Sequence, residues 1–342
     1  MADVVMADDG IAFDGRTAET GPLGGAETAF VALAEALAAR GHEVAARSHC
    51  RAALNHKGVG WAPLAAGVPE SCDLYIGNRG HKVMGLVRRA RRRLFWLHNP
   101  ARYLKKPRNL WRLAWHRPTL VLCGPHHANS VPPWLPCGGR VIIPYGVLEQ
   151  FRDTQAREPP PPRAVFTSNP LRGLDWLLDL WAVHIAPALP EAELHVYAGP
   201  AVYGAGGEAA RRMEAVLARA DALYAQGVRR HPPVRHDELA TVLAQSRVML
   251  YRGDPGEAFC TALAEAQSIG LPVVVQPLGM VAERVIDGVT GCVAADDAAF
   301  ATAAVRLLRD DELWRRFHRE ALARQRGLSW DEVAARYEAL IG

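Results

Sequence analysis

The chain has 342 residues, enough for two domains of ordinary size, and at 49% hydrophobic and 22% charged its composition is that of a globular protein. The opening "MADVVMADDG" carries acids where a secretory leader carries lysines, and no run approaches the roughly 20 apolar residues of a membrane span. The six cysteines (50, 72, 123, 137, 260 and 292) include no CxxC pair, which argues against a disulfide framework or zinc site and suits a reducing cytoplasm.

Short apolar runs alternate with longer helical patterns from end to end. "DVVMA", "EVAARS", "DLYIGN", "RLFWLH", "TLVLCG" and "RVIIPYGV" read as strands, with "AETAFVALAEALAARG" as a helix after the first. In the second half "RAVFTSN", "ELHVYAG", "RVMLYRG", "PVVVQPL" and "GCVAA" read as strands, and "EAARRMEAVLARADALYAQG" as a helix. Such alternation implies an α/β protein with parallel, doubly wound sheets covered on both faces. Four consecutive prolines at 159–162 favour an extended connector. The expected organisation is one domain over 1–150, a proline-rich linker over 151–163 and a second domain over 164–325. A C-terminal helix in 326–342 would pack back on the first domain, and a cleft between the domains would take the ligand.

In doubly wound folds ligands sit at the carboxyl ends of the strands, so the strand-to-helix turns carry the candidate sites. In "ETGPLGGAETAF", Gly24 and Gly25 allow close backbone approach, and the helix starting near Ala26 would aim free amides at an anion. A plain glycine turn fits the same residues. In "GDPGEAFCTALAEAQSIGLPVVV", Glu257 falls in a loop and Glu265 inside an apolar helix. A buried carboxylate is costly unless something bonds to it, and a ligand is the natural partner. If the helix opened at Ala258, Phe259 and Cys260, a phosphate at its mouth would leave Glu265 to meet a ribose, about 12 Å along at 1.5 Å per residue.

"EAFCTALAE", its continuation "AQSIGLPVVVQPLGMVAERVIDGVTGCV", and "GGAE", "ARGHEV", "IIPYGV", "SNPLRGLDWLLDLW" and "HVYAGP" together resemble family 4 of the retaining glycosyltransferases, in family order across nearly the whole chain. The resemblance implies a GT-B fold of two Rossmann-like domains and a nucleotide-diphospho-sugar donor. It implies that Glu257 contacts the transferred sugar, that Glu265 accepts from the ribose, and that Gly24, Gly25, Ser168, Ala258, Phe259 and Cys260 surround the nucleotide. Arg172 would neutralise the departing diphosphate, whose charge grows in the transition state. His98 matches a family histidine that touches the donor sugar or shapes the acceptor side, although a strand-end histidine is also an ordinary structural hydrogen-bonder. Two positions depart from the pattern. Thr167 stands where a second basic residue is common, leaving Arg252 or Arg79 to supply that charge, and Ala258 and Cys260 replace glycines. No Asp-x-Asp motif follows a strand, and Asp8-Asp9 and Asp296-Asp297 read as loop acids, so neither metal nor other cofactor is expected.

The formal net charge of +4 is uneven: residues 74–148 contain 14 Lys/Arg and no Asp/Glu. Within it Lys105, Lys106, Arg108 and Arg112 alternate with Tyr103, Trp111 and Trp115, a mixture suited to an anionic membrane surface over residues 79–117 at the inner face of the membrane. The resemblance adds a glycan or lipid-linked acceptor. A solvated face with core tryptophans is the plain alternative, and no nucleic-acid-binding module surrounds the patch. Competing functions are a degenerate GT-B scaffold at the membrane, a sugar-nucleotide epimerase or phosphorylase, and a dehydrogenase suggested by "GAGGEA" (204–209), which lies too far beyond its strand.

Overall fold

The computed structural model describes residues 1–204 and 206–342. The chain divides into two compact units: residues 1–146 with 328–342, and residues 147–327. Each is built on one sheet, and the two doubly wound sheets expected from the alternation are both present.

Unit 1 contains β1 (Asp3–Asp8), β2 (Glu43–Ser48), β3 (Leu54–His56), β4 (Val59–Pro63), β5 (Ser71–Asn78), β6 (Arg89–Trp96), β7 (Thr119–Leu122) and β8 (Gly139–Ile142). Their order is β3-β4-β2-β1-β5-β6-β7-β8. Central β1 is buried from Val4 to Asp8, which is why its sequence is continuously apolar from Val4 to Ala7. One departure from an all-parallel sheet is the antiparallel β3–β4 pair at the edge. Lys57 and Gly58, at φ 45° and 78°, form its two-residue turn. The arginine-rich segment is β6, exposed at Arg89, Arg91 and Arg92 and buried from Leu94 to Trp96. Phe95, Leu97, Leu104, Leu113, Leu120 and Leu135 close a core on one side of that strand.

Unit 2 contains β9 (Arg163–Phe166), β10 (Glu193–Tyr197), β11 (Val228–His231), β12 (Val248–Gly253), β13 (Val273–Leu278) and β14 (Gly291–Val293). All are parallel, in the order β11-β10-β9-β12-β13-β14. The prolines lie inside this unit. The Pro162 carbonyl accepts from the Glu193 amide at 3.0 Å and the Pro160 carbonyl from Arg247 at 3.2 Å.

The helices that flank the strand ends and close the chain include α1 (Gly25–Ala39), α2 (Pro107–His116), α3 (His236–Ala244), α4 (Thr261–Ser268) and α5 (Trp330–Glu338). Among the described residues no helix is long and apolar enough to cross a membrane. Helix α5 returns to unit 1, where Arg40 beyond α1 bonds Asp331 at 2.8 Å and Glu338 at 2.6 Å. Ser329 and Glu332 form its capping box, and Tyr337 packs edge-on against Trp96 at 5.7 Å.

Gly146 is where α5 presses on the chain, since a Cβ there would lie 2.9 Å from the Trp330 ring and 3.0 Å from its amide nitrogen. Gly146→Ala is expected to destabilise unit 1 by about 1–3 kcal/mol, as overpacking does. Gly21→Ala, whose new methyl would meet nothing within 4 Å, is the control. Equal thermal unfolding of the two variants would show that α5 does not depend on this contact.

Candidate functional site

Arg172 and Glu257 of unit 2 are held by loops at the carboxyl ends of β9 and β12. After β9 the chain turns at Asn169, whose side chain accepts from the Leu171 amide at 2.9 Å and whose carbonyl accepts from the Arg172 amide at 2.9 Å. The turn places Arg172 so that its Nη1 bonds Glu257 Oε1 at 2.9 Å. After β12, Asp254 closes a second turn, accepting from Gly256 N at 2.7 Å through its side chain and from Glu257 N at 3.0 Å through its carbonyl. The Glu257 side chain is only 3% exposed. Burial raises its proton affinity, and the Arg172 guanidinium, with the nearby Tyr251 hydroxyl and Cys260 thiol, works against that rise.

Helix α4 begins at Thr261, three residues later than the sequence suggests. Ala258 and Phe259 lie in the loop, and Cys260 is the N-cap at φ 59°, ψ 74°. The left-handed backbone of Cys260 turns the chain at that point, so 258–260 do not form a first helical turn. Phe259 is fixed by Arg284, whose Nε donates to its carbonyl at 3.0 Å and whose guanidinium lies 3.8 Å from the ring centroid. Glu265 is buried on α4, and burial pushes its carboxyl up to about 8. The basic group that meets it is His236, at 3.4 Å from Nε2 to Oε1.

Several buried polar atoms on these elements complete no hydrogen bond among the described residues: Glu257 Oε2, Tyr251 OH, Thr167 Oγ1 and His236 Nδ1. Ser168 is buried next to Thr167. Arg252 does not stand free, since it donates to Gln276 at 3.1 Å and lies over Trp176. Sequence reasoning does not single out Tyr251 or His236. The only signals are a hydroxyl near the end of an apolar strand and a lone histidine opening a helix.

Unit 1 is arranged differently. Gly24 is the N-cap of α1 and Gly25 its first residue. Glu27, in the first turn, accepts from Arg79 Nη2 at 2.6 Å, and Arg79 also binds Asp8 at 2.9 and 3.0 Å. Arg79 is therefore neutralised inside its own unit. Asn78 donates to Asp8 and presents its oxygen to His98 Nε2, while Tyr145 OH donates to His98 Nδ1. Both imidazole nitrogens are thus occupied. Burial first, and then the nearby Arg79 charge, hold the ring neutral by lowering its proton affinity well below the usual range.

The other loop acids have structural partners. Asp296 caps a helix through Ala299 N, and Asp297 accepts from Trp176 and Gln276. Of "GAGGEA", Ala205 lies outside the described residues, and the helix there starts only at Gly207.

The architecture of two largely parallel sheets covered by helices is shared by known proteins. Residues 161–310, a stretch that includes Arg172, Glu257 and Glu265, match the family model "Glycosyl transferases group 1". A D-inositol 3-phosphate glycosyltransferase of Xylanimonas cellulosilytica is 36% identical over 107 residues, covering 31% of this chain and 25% of that protein. Among solved structures, the sucrose-phosphate synthase of Thermosynechococcus elongatus is similar with a TM-score of 0.75 at 17% identity, over 99% of this chain and 98% of that one. HepE of Anabaena, solved in complex with UDP-glucose, is similar with a TM-score of 0.72 at 14% identity, over 99% of each chain. The fold is GT-B.

The raised Glu265 carboxyl gives a sign for pH dependence. An acid whose folded-state proton affinity exceeds its unfolded one stabilises most below the ordinary glutamate range, and that contribution is lost as pH rises through about 8. Ligand-free protein is expected to lose melting temperature between pH 5 and pH 9 (roughly the span between the two states), with Glu265→Gln flattening the loss. A variant with the wild-type slope would place the titration elsewhere.

Proposed function

We propose that the protein is a retaining glycosyltransferase that uses a nucleotide-diphospho-sugar without a metal. The observation that carries this reading is the Arg172–Glu257 pair, which joins the loop after β9 to a carboxylate only 3% exposed in the loop before α4, the helix that carries Glu265, with acceptor and hydroxyl atoms around it that complete no bond among the described residues. Glu265 would accept from the ribose hydroxyls, and Glu257 Oε2 from hydroxyls of the transferred sugar. Arg172 would shift part of its charge to the diphosphate. As the bond from the sugar's anomeric carbon to the phosphate oxygen breaks, the electron pair goes to that oxygen, where a fixed cation is most effective. The acceptor hydroxyl bonds to the same carbon on the same face, and its proton passes to the leaving phosphate.

The test is a screen of UDP-, GDP- and ADP-sugars by thermal shift and by slow donor hydrolysis. One of them is expected to stabilise the protein and be turned over. Glu257→Ala and Arg172→Ala should each lower turnover by about 10²–10³-fold, the usual effect of removing one such electrostatic contact. No shift with any donor would refute the reading. Stabilisation without turnover would favour the binding scaffold, and inverted product stereochemistry would remove the retaining assignment.

We also propose that unit 1 meets an anionic membrane surface through α2 and the turn before it, where a lipid-linked acceptor would be found. Trp111 and Trp115 are 55% and 79% exposed, four residues apart on α2. Lys105, Lys106 and Arg108 are exposed beside them, and Arg112 lies 4.7 Å from the Trp111 ring centroid. Leu113 and Asn109 are the buried residues that anchor the helix. Apolar rings flanked by cations suit the headgroup region. Vesicles of phosphatidylglycerol and phosphatidylcholine are expected to bind the protein in a salt-sensitive way, weakened by about 1 kcal/mol for each Lys or Arg replaced. Equal binding to pure phosphatidylcholine would sink this proposal.

A further inference from the structure

Glu265 has little to hold it. Its carboxylate is buried on α4, and the partner that reaches it among the described residues is His236 Nε2 at 3.4 Å. His236 is the first residue of α3 and packs edge-on against the buried ring of Phe151, at 6.1 Å and 85°. Burial and the helix start both disfavour an imidazolium, and Asp237, the charged neighbour acting on the ring, is taken up by Arg235 at 3.0 and 2.6 Å. A neutral imidazole beside a carboxylate puts its single proton on the nitrogen facing it. The other nitrogen, Nδ1, is buried and completes no hydrogen bond among the described residues, so none of them competes to turn the ring.

We infer that His236 is a positioning residue: its Nε2–H holds one oxygen of Glu265 so that the carboxylate presents its other acceptor sites to the cis-diol of a nucleotide ribose. The inference rests on the donor-binding reading of unit 2. It adds a residue outside the Arg172, Glu257 and Glu265 set, and it assigns the histidine to ribose recognition rather than to chemistry.

The experiment measures, by titration calorimetry, binding of UDP, GDP and ADP and of the 2′,3′-dideoxy form of whichever binds best. Wild type, His236→Leu, His236→Gln and Glu265→Gln are compared at several pH values. Wild type should bind the ribose form at least about tenfold more tightly than the dideoxy form, the worth of a buried charge-assisted hydrogen bond. His236→Leu should lose most of that preference and move the rise of affinity with pH to higher pH. His236→Gln, which keeps an N–H at similar reach, should restore both. Turnover at saturating donor should stay within about twofold in His236→Leu, the loss falling on KM. Equal weakening by Leu and Gln toward both ligands would reduce His236 to packing and overturn the inference. If Glu265→Gln keeps full ribose preference, the ribose role of Glu265 fails, and the inference with it. If no nucleoside diphosphate binds wild type, the donor-binding reading itself has failed.

Discussion

A carboxylate removed from water must be matched by a cation, by hydrogen bonds or by a proton. Unit 2 buries two, eight residues apart, and matches them unequally. Among the described residues Glu257 has Arg172 for one oxygen and no completed bond for the other, while Glu265 has a neutral imidazole. The surrounding backbone is committed to keeping them there. Asp254 uses both its side chain and its carbonyl to close the turn that carries Glu257, and Cys260 holds a left-handed conformation to start α4. Under the proposed function, the stability given up locally would leave acceptors where a polyhydroxylated, anionic ligand could use them.

Unit 1 shows what the same architecture looks like when its charges are satisfied internally. Asp8 and Glu27 share Arg79, and Asn78 links Asp8 to His98 and on to Tyr145. These residues also sit at strand ends, the place where doubly wound folds put ligands. Their network is closed, however, and each member fixes the next. The contrast lies in His98, which stands at the end of its sheet with both ring nitrogens engaged by Asn78 and Tyr145.

The strands are legible because buried parallel strands are written as apolar runs, and β1, β5, β7, β12 and β13 all are. The β3–β4 hairpin is not, because the few residues on either side of Lys57-Gly58 carry too little pattern to register. The start of α4 is hidden for a different reason. A cysteine gives no local sign of a left-handed backbone, whereas a glycine at 260 would have marked the break. Glu257 and Glu265 are legible from their spacing. His236 is not, since its importance comes from a contact with a residue on another helix that no periodicity encodes.

The basic region shows why a charge count alone decides little. Along β6 several arginines are occupied by the fold: Arg93 donates to the Val87 carbonyl and lies over Tyr75, Arg92 donates to the Gly342 carbonyl, and Arg89 pairs with Glu70. Before and along α2 the cations meet no acid among the described residues, and they stand beside exposed indole rings. A guanidinium bonded to a carbonyl is structural, however positive the sequence around it. A cation beside an exposed tryptophan is available to a surface carrying both negative charge and apolar depth. That difference, rather than the number of lysines and arginines, singles out α2 as the face on which unit 1 would meet a membrane.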